Sequence, residues 1–337
     1  MIKDIIDNQA VEDVFLVKDV RRNETRNGKP FLALNVIDSS GEIGGRVWEG
    51  ADRYLEECQP GTTILLKGQA QSYKGVLQLR VDHLEKHEVS PDELARFIPT
   101  TKGDIKSMTA EMVNLAKSIS DSHLRDLTLS FLQDSKISNL FKKAPAAKQM
   151  HHACLGGLLE HTLGVTRLAD AVAALYPAVD RSLLLAGAIL HDLGKLVEFS
   201  YDSFPYDYSD RGRLVGHMVL GIEMIQEKIA GQADFPEETG NRLKHLILAH
   251  HGRHEFGSPV LPMMLEAFIL HFIDDLDAKV DYITGLASKA KDPGYQWSEY
   301  QRNLERFLYV RGADTAGAEP EEDPADEIDP RQTNLWR

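Results

Sequence analysis

Cysteine is nearly absent from this chain: Cys58 and Cys154 are the only two among 337 residues. That excludes a disulfide-stapled scaffold and a thiolate-rich zinc site. Lys3, Asp4 and Asp7 interrupt the apolar residues where a secretory leader would need an unbroken run, so a reducing, cytoplasmic setting is expected. Long apolar runs are also missing. The longest, Leu183 to Leu190, falls far short of the roughly 20 residues that cross a bilayer, which excludes a membrane protein. An excess of basic charge is missing as well, with 38 bases against 52 acids and a net charge of −14.

The distribution of that charge matters more than its sum. Residues 313–337 hold eight acids against Arg331 and Arg337, a net −6, in a Pro-, Ala- and Glu-rich segment without apolar periodicity, and are expected to be a disordered tail. Residues 18–29 instead hold Lys18, Arg21, Arg22, Arg26 and Lys29 against Asp19 and Glu24. An acidic protein can therefore still carry a basic groove.

What is present divides into two patterns. Residues 11–88 alternate as short strands: Val14–Val20, a polar loop Arg21–Pro30, Phe31–Asp38, Glu42–Trp48, Thr62–Lys67 and Val76–Asp82, with a helical insert Ala51–Glu57 after the third. Five strands with that insert predict a small Greek-key barrel of the oligonucleotide-binding (OB) type. Period-two parity turns Leu32, Leu34, Val36, Leu77, Leu79 and Val81 inward. The outer face then presents Phe31, Asn35, Arg46, Trp48, Gln78 and Arg80, aromatic rings beside arginines, which suits base stacking and phosphate attraction. A bland alternative has Phe31 and Trp48 covering a patch against the rest of the chain.

From Ser90-Pro91-Asp92-Glu93, a helix-start signal, the pattern turns helical, and from Gly157 to about Phe307 it is expected to be almost entirely helix, an all-α second domain. Exposed apolar surface on the connecting helices would support a homo-oligomer. The predicted segments are 1–90 for the barrel, 91–150 for a helical connector, 151–312 for the second domain and 313–337 for the tail.

His161, His191-Asp192, His217, His250-His251 and Asp274 all lie in apolar helical contexts of that second domain. Gly194 follows His191-Asp192 and is placed to cap the helix, with Lys195 as a cation at its C-terminus. Buried imidazoles and carboxylates are costly unless paired or bound to metal. Several on successive helices need a common partner, and a divalent metal is the economical one. Imidazole and carboxylate without thiolate favour Mn, Fe, Zn or Co. Seven candidate ligands exceed the needs of one ion, so two ions bridged by Asp192 fit better.

The order His161 … His191-Asp192 … Asp274 resembles the signature of the HD-domain metal-dependent phosphohydrolases, and His217 and His250-His251 match the added histidines of its two-metal members. The barrel, the connector, His151-His152-Ala153 … Gly156-Gly157-Leu158 … Glu160-His161-Thr162 and His250-His251-Gly252 … Gly257-Ser258-Pro259 resemble the YhaM-type 3′→5′ exoribonucleases over about residues 11–310. The acidic tail departs from that pattern.

The resemblance implies an α+β multidomain fold, an N-terminal five-stranded OB-type barrel followed by an all-α HD-domain bundle. It implies a metal-dependent phosphodiesterase that trims single-stranded RNA, and DNA as well, from the 3′ end with Mn²⁺. It carries one metal over to His161, His191, Asp192 and Asp274, and a second to His217, His250 and His251 with Asp192 bridging. Asp192 and Lys195 become the catalytic candidates, Lys195 by neutralising a substrate phosphate, and Asp277, His151, His152 and Arg213 supporting or substrate-side ones. Phe31, Arg46, Trp48, Arg80, Arg21, Arg22, Arg26 and Lys29 become the nucleic-acid contacts. Two other readings stay open: an HD-type phosphohydrolase for a small nucleotide with a regulatory barrel, and a single-strand-binding protein with a structural metal site.

Overall fold

The computed structural model describes residues 1–312 except 26, 74, 91–92, 94–95, 98–99, 148–151, 153, 201–206, 289 and 291. Arg26, Pro91, Asp92, His151 and the acidic segment 313–337 thus lie outside the described residues. The chain divides into two compact units, residues 1–279 and residues from 280 onward.

The first unit opens with β1 (Ala10–Glu24), β2 (Pro30–Asp38), β3 (Gly41–Val47), α1 (Ala51–Glu57), β4 (Thr63–Tyr73) and β5 (Val76–Lys86). The strands close into a barrel in the order β1-β2-β3-β5-β4, the OB arrangement, with β3 and β5 parallel and the other pairs antiparallel. Leu32, Leu34, Val36, Leu79 and Val81 fill the interior with Phe15, Ile64 and Leu66, as parity predicts, and Leu77 packs partly against them.

Several strands outrun the apolar alternation. Arg21 to Glu24, read as loop, continue β1 by pairing with Ala33 to Pro30. The hydrophobic signal stops where the core stops, whereas backbone pairing needs no buried side chain. One patch outside the barrel, Leu16 and Ile37, is covered by Phe97 with Val89 and Leu155 packed beside it. That patch, and not Phe31 or Trp48, is where the barrel meets the following segment.

The capping signal at Ser90 is realised: the Glu93 amide donates to Ser90 Oγ (3.3 Å), and the Glu93 carboxylate accepts from the Ser90 amide (3.0 Å). The helices that follow are α2 (Ile105–Lys117), α3 (Ser122–Leu132), α4 (Ser135–Phe141), α5 (Gly157–Leu175), α6 (Arg181–Leu190), α7 (Lys195–Glu198), α8 (Asp210–Val215), α9 (His217–Ala230), α10 (Glu237–Ala249) and α11 (Leu265–Ala287). Asp104, Asp121, Asp134 and Asp180 start α2, α3, α4 and α6, each side chain accepting from a first-turn amide, an N-cap worth about 1 kcal/mol. One apolar core, including Met112, Phe131, Leu159, Leu185, Leu246 and Leu270, joins these helices. Among the described residues no helix is long and apolar enough to cross a membrane.

Two expectations need correction. The second domain is not purely helical: β6 (Phe199–Ser200) pairs with β7 (Asp207–Tyr208), and β8 (Gly294–Trp297) with β9 (Tyr309–Gly312). Asp292-Pro293-Gly294 breaks the helical pattern, and Tyr-Gln-Trp alternates beyond it. The exposed apolar residues also avoid the connector helices. Among the described residues one run of them lies instead on α11, as Leu265, Phe268, Phe272 and Leu276.

Candidate functional site

His191 and His250 are the residues on which α6 and α10 end. A helix leaves its last carbonyls without intrahelical donors, and each histidine uses one: Nδ1 of His191 donates to the Ala188 carbonyl (2.8 Å) and Nδ1 of His250 to that of Ile247 (2.6 Å). A carbonyl only accepts, so the proton sits on Nδ1 and the Nε2 lone pair points away from the helix. His217, the first residue of α9, is held by Glu198, whose Oε1 accepts both the His217 amide (3.0 Å) and its Nδ1 (3.1 Å). His161 of α5 donates from Nδ1 to Asp277 Oδ2 (2.7 Å). Four imidazoles are therefore oriented by their Nδ1 atoms, leaving four Nε2 atoms to converge.

They converge on Asp192. Its Oδ2 lies 3.6 Å from His161 Nε2 and 3.4 Å from His191 Nε2, and its Oδ1 lies 3.5 Å from His217 Nε2 and 3.7 Å from His250 Nε2. Each carboxylate oxygen thus faces its own pair of histidines. Asp274 Oδ1 joins the first pair at 3.1 Å from His161 and 3.7 Å from His191. The His251 ring packs against His250 and His217, with centroids 4.3 and 5.1 Å away, on the second side. The seven residues read from the sequence as ligands are brought together.

The electrostatics suit a cation. Asp192 Oδ1, His217 Nε2 and His250 Nε2 are buried without a hydrogen-bond partner, a condition that ordinarily costs about 1–3 kcal/mol per group. Burial alone would raise the carboxyls of Asp192 and Asp274, yet both are held well below the usual range, Asp192 by Lys195 and the imidazoles, Asp274 by His161 and His191. Burial drives His250 toward its neutral form. Among the described residues, His217-His250-His251, His161-His191-Asp192 and His152-His161-Asp277 each converge closely enough to hold an ion. Nitrogen and oxygen donors, unsatisfied and buried around one carboxylate, fit a divalent transition metal.

The remaining candidates fall elsewhere. Lys195 is not at the C-terminus of α6. It opens α7 and bonds Asp192 Oδ2 at 2.7 Å; burial opposes its charge, and the neighbouring Asp192 more than restores it. Gly194 does not cap α6 with left-handed backbone (φ −63°); a Cβ there would meet the His217 carbonyl oxygen at 1.8 Å, so glycine permits α9 to approach. His152 spans Glu160 (3.3 Å) and Asp277 (3.2 Å) and so anchors the carboxylate that orients His161. Arg213 pairs with Asp207 at 2.8 Å on an exposed surface. Burial pushes the Cys58 thiol up to about 12, an inert residue.

On the barrel, the strand registers place Arg21, Ala33, Arg46 and Arg80 in one row across β1, β2, β3 and β5. One rung away, Phe31 stacks on Trp48, centroids 4.9 Å apart, and Trp48 stays 47% exposed. Arg22 is on the opposite side of β1, tied to Asp52 and Glu24. Lys29 lines a small concavity with Pro30, Trp48 and Arg53.

Comparison with known proteins matches both halves. The HD domain family covers residues 158–279, and an OB-fold nucleic acid binding domain family covers residues 16–86. The 3′-5′ exoribonuclease YhaM of Geobacillus sp. (strain WCH70) is 33% identical over 298 residues, 87% of this chain and 90% of that one. The 3′-5′ exoribonuclease YhaM of Bacillus subtilis (strain 168) is 33% identical over 291 residues, 85% of this chain and 90% of the relative. The chain belongs to the YhaM exoribonuclease family. Its HD domain makes a divalent metal its cofactor, and its OB domain makes nucleic acid its partner.

Two residues of this YhaM-family chain escaped the sequence reading. Glu198 orients His217, and its signal was an acid buried within Leu196-Val197-Glu198-Phe199. Gly164 had no signal: a Cβ there would lie 2.2 Å from Asp277 Oδ1, so only glycine lets that carboxylate reach His161 one turn earlier on α5.

Proposed function

We propose that this chain is a metal-dependent 3′→5′ exonuclease that hydrolyses the terminal phosphodiester of single-stranded RNA, and of DNA as well, releasing 5′-mononucleotides. The observation that carries the reading is the two-sided Asp192, one oxygen toward His161 and His191 and the other toward His217 and His250. It supports two ions, the first held by His161, His191, Asp192 and Asp274, the second by Asp192, His217, His250 and His251. Mn²⁺ is the first choice by the family resemblance, and Fe, Co or Zn suit the same imidazole and carboxylate donors. When bound, such ions supply Lewis acidity, acidifying water and offsetting the charge of the attacked phosphate.

The chain's own groups do the rest. Nδ1 partners fix every imidazole before substrate arrives, and Lys195 keeps Asp192 ionised. The Phe31–Trp48 stack receives a base, and the Arg21, Arg46 and Arg80 row attracts the backbone. No nucleophilic side chain is required. A cytoplasmic setting belongs to the same reading.

Replacing Trp48 with Ala separates the rival substrates. Activity on a 20-nucleotide RNA at limiting concentration should fall about tenfold, the worth of one stacked base. Hydrolysis of a small chromogenic phosphodiester should be unchanged. Equal loss on both, or on neither, would favour a small-nucleotide enzyme whose barrel does not hold substrate.

The reading extends to a homo-oligomer, supported by Leu265, Phe268, Phe272 and Leu276, which expose one apolar face of α11. Light scattering should give a mass above the 37.7 kDa of one chain, lowered by Phe272→Asp; a monomeric parent ends this part of it.

A further inference from the structure

The β8–β9 hairpin lies outside both matched family segments, 16–86 and 158–279. Its register sets Tyr295 opposite Arg311 and Trp297 opposite Tyr309. Side chains alternate across a strand, and here the alternation is sharp. Val310 and Gly312 are buried on one face, and Tyr295, Trp297, Tyr309 and Arg311 are exposed on the other, the three rings by 64%, 69% and 57%. Aromatic side chains usually supply core area, so three of them open to solvent on one short hairpin call for a ligand.

The rings are already ordered. Tyr309 stacks on Tyr295 with centroids 5.2 Å apart and planes 21° from parallel, and Trp297 lies 5.0 Å from Tyr309 on its other neighbour position. Binding to such a face costs little side-chain entropy. The eight residues of the two strands contain a single charge, the guanidinium of Arg311, and no carboxylate; the acids of the hairpin, Glu299 and Glu305, lie in the segment that connects them. Planar rings with a cation and no acid are complementary to a polyanion that carries flat bases. The same combination recurs on the barrel, where the Phe31–Trp48 stack neighbours an arginine row. A protein partner would favour aliphatic anchors as well, and the one aliphatic residue of the two strands, Val310, is turned inward.

We propose that the exposed face of this hairpin is a second binding site for single-stranded nucleic acid, in which bases stack on Tyr295, Trp297 and Tyr309 beside Arg311. The site rests on the reading of the chain as an enzyme of single strands, and adds to it a contact independent of the barrel.

The test uses the full chain and a 5′-fluorescein-labelled 30-nucleotide RNA blocked at its 3′ end by phosphorothioate linkages, followed by anisotropy. Trp297→Ala with Tyr309→Ala should weaken binding about tenfold or more, the worth of losing one stacked base. Trp297→Phe with Tyr309→Phe should restore most of it. Arg311→Gln, which leaves all three rings in place, should reduce the slope of log K against log salt by about 0.7, one phosphate contact on a single strand. Hydrolysis of a dinucleotide should be unchanged in all variants. A parent that binds and trims RNA while the Ala pair and Arg311→Gln match it in affinity and salt slope overturns the hairpin site alone. A parent that neither binds nor trims overturns the exonuclease reading and this site with it. Unchanged affinity with a reduced mass in light scattering would make the face a contact between copies and also overturn the proposal.

Discussion

Asp192→Asn should abolish measurable trimming, with an expected loss of about 10³-fold or more in kcat/KM on single-stranded RNA. The size follows from the position. Each oxygen of Asp192 faces a different histidine pair, so one substitution weakens both halves of the centre. The several kcal/mol of charge stabilisation that bound metal gives a transition state corresponds to about three decades of rate. An outer residue such as Glu198 or Asp277 should cost less, about 10–100-fold.

The substitution has a second consequence that must be separated from the first. Lys195 is buried and bonded to Asp192 at 2.7 Å. Removing the partner's charge breaks a buried ion pair and weakens the compensation of the ammonium, a change that costs up to about 3–5 kcal/mol. Asp192→Asn should therefore lower Tm as well as activity. Adding Lys195→Met, which removes the buried ammonium, should return Tm toward the parent and leave activity lost. Trimming at the parent's rate by a folded Asp192→Asn protein would sink the assignment of Asp192 to the centre.

The barrel and the helical bundle were legible because both cores follow a simple period. Leu32, Leu34 and Val36 alternate inward, and Leu183 to Leu190 form one buried helix. The candidate ligands were legible for a related reason: polar residues in apolar stretches must have partners, and His191, Asp192 and His250 sit at the ends of such stretches. What escaped was set by tertiary contact. Nothing local marks Glu198 as the partner of His217, nor Gly164 as the gap that admits Asp277. Of the two roles open to Lys195, that of a cation ending α6 falls away, because a four-residue turn without a sequence signature separates Leu190 from α7. The β8–β9 hairpin was read as helix because its aromatic residues carry hydrophobicity without a buried side chain on their own face.

Metal affinity at the first half of the centre should rise about a hundredfold between pH 7 and pH 9 and level off above. Burial works against a charge on His161, but its bonds to Asp274 and Asp277 prevail and push it up to about 9 in the metal-free protein. The proton on Nε2 then serves Asp274 Oδ1 at 3.1 Å, with His191 Nε2 at 3.3 Å as a further acceptor. A metal needs that lone pair free. Below pH 9 each ion taken up must displace the proton, so affinity gains about tenfold per pH unit; above 9 the site is already deprotonated and the slope vanishes. The metal-free protein should show the opposite trend. A group whose pKa is raised from its usual 6.5 contributes stability that is complete below 6.5 and lost as pH climbs through 9. Calorimetric titration of the chelator-treated protein with Mn²⁺, in buffers of different ionisation enthalpy, reads the released proton directly. Thermal melts with and without metal across the same range should diverge with pH. A flat affinity with no proton released would mean that His161 is already neutral at pH 7, and that the Asp274–His161–Asp277 arrangement does not hold a proton in place of the metal.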